Sequence, residues 1–192
     1  MNILDNRFNE LIALLPVFRD FARHEIEKSA EEISVAFQKG HKILICGNGG
    51  SAADSQHFAA EFVNKFSDRI KRKALPALAL TTDTSIITAI SNDSDYENIF
   101  SRQVEAYGSK GDLIVIFTTS GNSKNCIKAI KTARLIGLRS VVFTKTGAEI
   151  SKLADLSIEV PSKNTQHIQE CHVFAYHVIT ELVENTFSGK NS

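Results

Sequence analysis

The sequence predicts an α/β fold, a doubly wound parallel five-stranded sheet flanked by helices and preceded by N-terminal helices, on three observations. Short apolar runs alternate with segments of helical periodicity. The runs are apolar throughout, as strands covered on both faces of a parallel sheet must be. Two glycine- and hydroxyl-rich segments, 46–51 and 118–123, each follow such a run and precede a helix. That is the carboxyl edge of the sheet, where ligands bind in this architecture.

The elements follow in order. Between residues 6 and 39 the apolar residues Phe8, Leu11, Leu15, Phe18, Ile26, Ile33 and Phe37 recur at roughly helical spacing, and Gly40 ends the pattern. Pro16 is expected to kink or split it, because proline lacks the N–H a helix interior needs. Residues 1–40 therefore read as a helical extension that packs on the sheet, with an apolar stripe that also serves a subunit interface. A monomer is the alternative. Strands are expected at 42–46, 77–80, 113–117 and 140–144, with a weaker fifth at 156–160. Residues 166–187 contain no proline or glycine and read as a final helix. No repeat or long linker divides the 192 residues, so 1–192 is read as one domain.

Composition removes several classes of function. Lys+Arg and Asp+Glu both number 22, a neutral balance that disfavours direct nucleic-acid binding. The three cysteines, Cys46, Cys126 and Cys171, are odd in number, far apart and without C-x-x-C spacing, which suits a reducing cytoplasm. The N-terminus has no basic leader region, and no apolar run reaches the ~18 to 20 residues that a membrane span needs. The expected setting is a soluble, cytoplasmic protein.

The segment 46–51, Cys46-Gly47-Asn48-Gly49-Gly50-Ser51, joins a strand to a helix start. A helix N-terminus offers unpaired N–H groups and partial positive charge, so this junction suits an anion. Gly47, Gly49 and Ala52 also satisfy the dinucleotide pattern G-x-G-x-x-A, but the nearest acidic residue of the required kind, Asp83, lies too far on. A Walker loop is excluded, since no Gly-Lys-Ser/Thr triplet follows either loop. The second segment brings together the hydroxyls of Thr118, Thr119, Ser120 and Ser123. Ordinary turn and N-cap chemistry accounts for such residues one by one. Two anion-binding loops on one sheet edge favour a phosphate group instead.

Just inside the helix after the first loop, His57 and Glu61 stand four residues apart and so face the same way. This i, i+4 spacing serves an acid–base pair and a metal equally. Each residue alone is more often a packing or solvated group; the placement beside an anion loop is what marks the pair. Arg69, Lys71, Arg72 and Lys73 form a basic cluster, read most simply as a solvated loop.

Taken together, residues 46–51, His57 to Glu61, Ser91-Asn92-Asp93, Thr119 to Ser123 and Ile168-Gln169-Glu170 resemble the phosphoheptose isomerases of the sugar isomerase (SIS) domain superfamily. The hydroxyl-rich loop alone points to the superfamily; the His57/Glu61 and Gln169/His177 sets narrow it. The resemblance implies an aldose–ketose isomerase that converts sedoheptulose 7-phosphate to D-glycero-D-manno-heptose 7-phosphate in nucleotide-activated heptose biosynthesis, whose product feeds lipopolysaccharide, capsule or another glycan. It implies Glu61 and His177 as the catalytic pair, and one zinc ion per subunit held by His57, Glu61, Gln169 and His177. It implies substrate contacts from Asn48, Gly49, Gly50, Ser51, Glu61, Asn92, Asp93, Thr118, Thr119, Ser120, Ser123 and Gln169, and a homotetramer. Thr118 stands where serine is common in the family, and Lys65 where arginine is often seen, which keeps charge without the bidentate fork.

The chemistry is within reach of these residues, because moving a proton between carbons beside a carbonyl needs a base, an acid at the oxygens and a stabilised enediolate. Gln169 and His177 raise a geometric problem. Eight residues at about 1.5 Å each part them by ~12 Å along a straight helix, too far to share one ion readily. Either the final helix is irregular, or the site draws a ligand from another subunit; the second reading, an interfacial site in an obligate oligomer, is favoured. His167 and His172 match no family ligand and are read as packing groups. Two other functions compete: a non-catalytic SIS protein that binds the replication initiator, and a sensing module. Neither would need Glu61 with His177.

Overall fold

The computed structural model describes residues 2–188. The outermost positions of the expected 1–192 domain therefore lie outside the described residues. The chain forms α1 (Ile3–Gln38), β1 (Ile43–Gly47), α2 (Gly50–Val63), β2 (Ala77–Ala79), α3 (Thr84–Asp93), α4 (Ile99–Tyr107), β3 (Leu113–Phe117), α5 (Lys124–Ile136), β4 (Arg139–Lys145), β5 (Leu156–Val160) and α6 (Thr165–Thr186). Single 3₁₀ turns lie at Tyr96–Asn98 and Glu149–Leu153.

All five strands pair in parallel, in the order β2-β1-β3-β4-β5. Because side chains alternate across a strand, the uniformly apolar runs feed two cores. Ile43, Ile45, Val115, Phe117, Val141 and Phe143 pack under α1, α2 and α6 with Phe18, Ile33, Phe58 and Tyr176. Leu44, Cys46, Ile114, Ile116 and Val142 face α4 and α5 with Phe100, Val104, Cys126 and Ile130. The doubly wound expectation holds, and the order reverses between β1 and β3, which places the ligand crevice there. Gly47 of β1 pairs directly with Phe117 of β3, so the two loops leave the sheet side by side.

Of the two outcomes expected at Pro16, the split does not occur, since the residue lies inside a continuous α1. Proline costs a helix about 3 kcal/mol, but α1 buries Phe18, Ala22, Ile26, Ala30, Ile33, Ala36 and Phe37 in the core, and that packing outweighs one lost hydrogen bond. Before Pro16, Leu14 and Leu15 still pack on the core, but Phe8 and Ile12 are uncovered within one chain, 62% and 51% exposed.

Arg72 departs from the solvated-loop expectation, which Arg69, Lys71 and Lys73 meet by being exposed. Its side chain is 2% exposed and pairs with the equally buried Glu184 of α6 at 3.1 Å. Its guanidinium also donates to the carbonyls of Glu61 and Phe62 at 2.7 and 2.8 Å, closing the C-terminal end of α2. The Glu184 carboxylate accepts the Phe66 and Ser67 amides at 3.1 Å each. One buried ion pair thus fixes both the end of α2, where Glu61 sits, and the loop that follows.

Candidate active site

The two loops share a polar cavity of about 110 Å³ at the β1/β3 switch point. Asn48 and Ser51 line it from one side, and Phe117, Thr118, Thr119, Ser120 and Ser123 from the other. The helices that start here, α2 and α5, have no side-chain cap. α4 likewise lacks a side-chain cap, whereas α1, α3 and α6 are capped by Asn2, Asp83 and Asn164. At the α2 and α5 starts the Ser51 and Ala52 amides are bonded to the Asn48 and Gly49 carbonyls at 3.0 Å and the Cys126 amide to the Asn125 side chain at 2.9 Å, so an anion would draw on the remaining first-turn amides together with the loop hydroxyls. Ser123 sits at the cap position of α5 but turns its hydroxyl to Thr118 Oγ1 at 3.3 Å, so the N-cap explanation fails for it. Thr118 does make a turn contact, accepting the Gly121 amide at 3.1 Å.

Backbone demands explain the glycines. A Cβ on Gly47 would lie 2.7 Å from the Ser51 carbonyl oxygen and 2.9 Å from that of Phe117. Gly49 has φ of 58°, the left-handed region that glycine occupies without strain. Asn48 is held flat by a reciprocal amide pair with Asn125 of α5, at 3.0 and 2.8 Å, and its oxygen also accepts the Tyr96 hydroxyl at 3.1 Å.

Deeper along α2 lies a second group. His57 Nε2 and Glu61 Oε1 share a hydrogen bond of 2.9 Å. The Tyr176 hydroxyl bonds His57 Nδ1 at 2.8 Å, and the His177 ring stands 5.2 Å from that of His57 and 4.6 Å from that of Tyr176. Burial, then the neighbouring His57, pulls the His177 pKa below the usual histidine value, with Glu61 opposing. His177 is thus held toward its neutral, proton-accepting form at neutral pH. Burial likewise pushes the Tyr176 phenol up.

Gln169 reaches the same region from about two turns earlier on α6. Its amide donates to Asp54 of α2 at 2.9 Å and lies against Gly50, where a Cβ would stand 2.5 Å from its oxygen. Burial raises the Asp54 pKa from 3.8 to about 6, with the Gln169 hydrogen bond pulling the other way.

Of the residues expected from sequence, the fold gathers Asn48, Ser51, Thr118, Thr119, Ser120 and Ser123 at the cavity, with Gly49 and Gly50 at the α2 start beside it. It brings His57, Glu61 and His177 together, and holds Gln169 beside Gly50. Asn92 and Asp93 stand exposed at the end of α3, bonded to each other at 2.8 Å, outside the cavity lining. α6 runs unbroken from Thr165 to Thr186, so the irregular-helix explanation for Gln169 and His177 fails. His167 and His172 are buried packing groups. His167 bonds Glu170 at 2.6 Å and Glu10 at 3.0 Å, and burial lowers the His172 pKa to about 4.

Four site residues escaped the sequence reading: Asp54, Tyr96, Asn125 and Tyr176. Asp54 had a signal, being three residues before His57 on the same helix face, and Tyr176 adjoins His177. Asn125 and Tyr96 had none, because their partner Asn48 is brought to them only by the sheet.

The zinc donor set implied by resemblance, two imidazoles, a carboxylate and an amide oxygen, fits that metal in kind. In arrangement it is incomplete. His57 and Glu61 are bonded to each other, and among the described residues no three His, Cys, Asp or Glu side chains form a ligand cluster, whereas Gln169 spends only its NH2 group on Asp54 and keeps its oxygen for a metal.

The SIS domain family matches residues 8–145. A phosphoheptose isomerase of Clostridium acetobutylicum is 48% identical over 167 residues, 86% of this chain and 84% of that protein. One from Akkermansia muciniphila is 45% identical over 184 residues, 94% of this chain and 96% of its own length. The solved phosphoheptose isomerase of Francisella tularensis superposes with a TM-score of 0.91 at 31% identity, covering 96% of this chain and 100% of that one. That of Neisseria gonorrhoeae gives 0.88 at 36%, covering 95% and 97%. With a matching family over most of its length and relatives near half identity, the chain belongs to the phosphoheptose isomerase family of SIS domain proteins.

Proposed function

We propose that this protein is an aldose–ketose isomerase that interconverts sedoheptulose 7-phosphate and D-glycero-D-manno-heptose 7-phosphate, a step of heptose biosynthesis. The observation that carries this reading is the succession along α2: a phosphate-sized polar cavity at its start, then His57 and Glu61 beside His177. His57 lies six residues, about 9 Å of helix rise, beyond Ser51. A seven-carbon phosphosugar bridges such a gap with its phosphate in the cavity and its carbonyl end at the titratable group.

In this reading the N–H groups at the starts of α2 and α5, with the hydroxyls of Ser51, Thr118, Thr119, Ser120 and Ser123, hold the phosphate. Asn48, Gly49, Gly50, Asn92, Asp93 and Gln169 contact the sugar. Glu61 takes the proton from C1 of the ketose, and the electron pair of that C–H bond becomes the C1–C2 double bond of an enediolate. His177, held neutral, moves a proton between the two oxygens. Return of the proton to C2 gives the aldose. His57, Glu61 and His177, with the oxygen of Gln169, whose NH2 group is held by Asp54, would hold zinc, which when bound supplies Lewis-acid polarisation of the sugar oxygens.

The domain is read as single, acting in the cytoplasm as a homotetramer with active sites at subunit boundaries. The uncovered Phe8 and Ile12 on α1 support an oligomer, since an apolar helix face needs a partner. Incubation with sedoheptulose 7-phosphate in heavy water tests the reaction: the aldose is expected with deuterium on the carbon beside its new aldehyde. Failure to form any aldose refutes the proposal.

A further inference from the structure

We propose that Tyr176 is the positioning residue of His57: its hydroxyl pins the ring at Nδ1 and so aims Nε2 at Glu61. The geometry is a directed chain across two helices, Tyr176 to His57 at 2.8 Å and His57 to Glu61 at 2.9 Å. An ionised carboxylate only accepts, so in the neutral ring the hydrogen on Nε2 points to Glu61 and Nδ1 carries the lone pair. The Tyr176 hydroxyl then donates to Nδ1. Because the phenol oxygen also accepts, the same contact serves the ring when its hydrogen sits on Nδ1 instead.

The anchor at the other end is rigid. Tyr176 is 1% exposed and its ring packs against Phe58, Phe117 and His177 at centroid distances of 5.3, 5.9 and 4.6 Å. His57, by contrast, is 48% exposed on its side chain, and an exposed imidazole turns about its own bond unless a second contact stops it. A hydrogen bond from a buried group to the ring nitrogen away from the working one is how proteins orient functional histidines. Tyr176 does not line the cavity, and its hydroxyl bonds His57, so the effect of losing the hydroxyl alone passes through His57.

Tyr176→Phe removes only the hydroxyl and keeps the ring packing. The imidazole nitrogen resonances of His57 are read in metal-chelated protein, with the assignment made by their loss in His57→Gln. Wild type is expected to show a hydrogen-bonded, non-protonated Nδ1, and Tyr176→Phe to move that resonance toward the value of a free lone pair. This arm does not depend on the isomerase reading. The kinetic arm rests on it: kcat is expected to fall about tenfold or more in Tyr176→Phe while KM changes by less than about threefold. An Nδ1 resonance that is the same in both proteins overturns the proposal, whatever the activity. A wild type that isomerises nothing, with the resonance shift present, leaves the positioning role standing and refutes the isomerase reading alone.

Discussion

Gln169 donates its side-chain amide to the Asp54 carboxylate across 2.9 Å, tying α6 to α2 beside the glycine loop. The contact joins residues 115 positions apart and holds the Gln169 amide against Gly50. Burial of the Asp54 carboxylate raises its pKa to about 6, against the pull of the Gln169 hydrogen bond.

That shift has a pH signature. A folded-state pKa raised above the unfolded 3.8 means that the native protein holds the proton more tightly. The Asp54 contribution to stability is therefore full below about 4 and is lost as pH rises through about 6. Asp54→Asn keeps an oxygen to accept from Gln169 and has no proton to lose. Its melting temperature relative to wild type is expected to rise between pH 4 and pH 7 and then level off. A difference that stays constant across that range contradicts the assignment.

The Arg72–Glu184 pair makes a stability prediction. Removing one partner strands the other charge with side-chain exposure of only 2%, and breaking such a pair costs about 3 to 5 kcal/mol. Arg72→Met is expected to lose stability on that scale in denaturant unfolding. Arg72→Lys is expected to lose much of the same, since lysine cannot donate at once to Glu184 and to the carbonyls of Glu61 and Phe62. A loss under about 1 kcal/mol for both variants contradicts the clamp.

The cavity at the ends of β1 and β3 makes a kinetic prediction. Ser120 is exposed and its hydroxyl lines the cavity, so Ser120→Ala removes a phosphate donor with little effect on the fold. A hydrogen bond to a charged group is worth about 1.5 to 3 kcal/mol, which corresponds to roughly ten-fold or more in KM with kcat nearly unchanged. Inhibition by inorganic phosphate is expected to weaken with it. An unaltered KM together with unaltered phosphate inhibition places the phosphate elsewhere.

Most of the fold was legible because it rests on local pattern. The runs at 43–46 and 113–117 are apolar on both faces, and only a covered parallel strand satisfies that. The two loops were legible because glycine and hydroxyl side chains announce close backbone approach and helix starts. Pro16 misled, since a helix rule gave way to tertiary packing from Phe18 to Phe37. Arg72 misled in the opposite sense: it looks as solvated as its exposed neighbours Arg69, Lys71 and Lys73 until Glu184, 112 residues away, is folded against it. Asn125 and Tyr96 carry no sequence mark at all, because what makes them site residues is the β1/β3 switch point that delivers Asn48 to them.

The central claim, that Glu61 moves the proton of a phosphosugar held by the two loops, is tested most directly by measuring sedoheptulose 7-phosphate isomerisation by wild type and Glu61→Gln, each with and without added zinc. Wild type is expected to turn over, and Glu61→Gln to bind the sugar phosphate without converting it. A wild type inactive under both conditions, yet tightly bound to a replication initiator protein, would contradict the account.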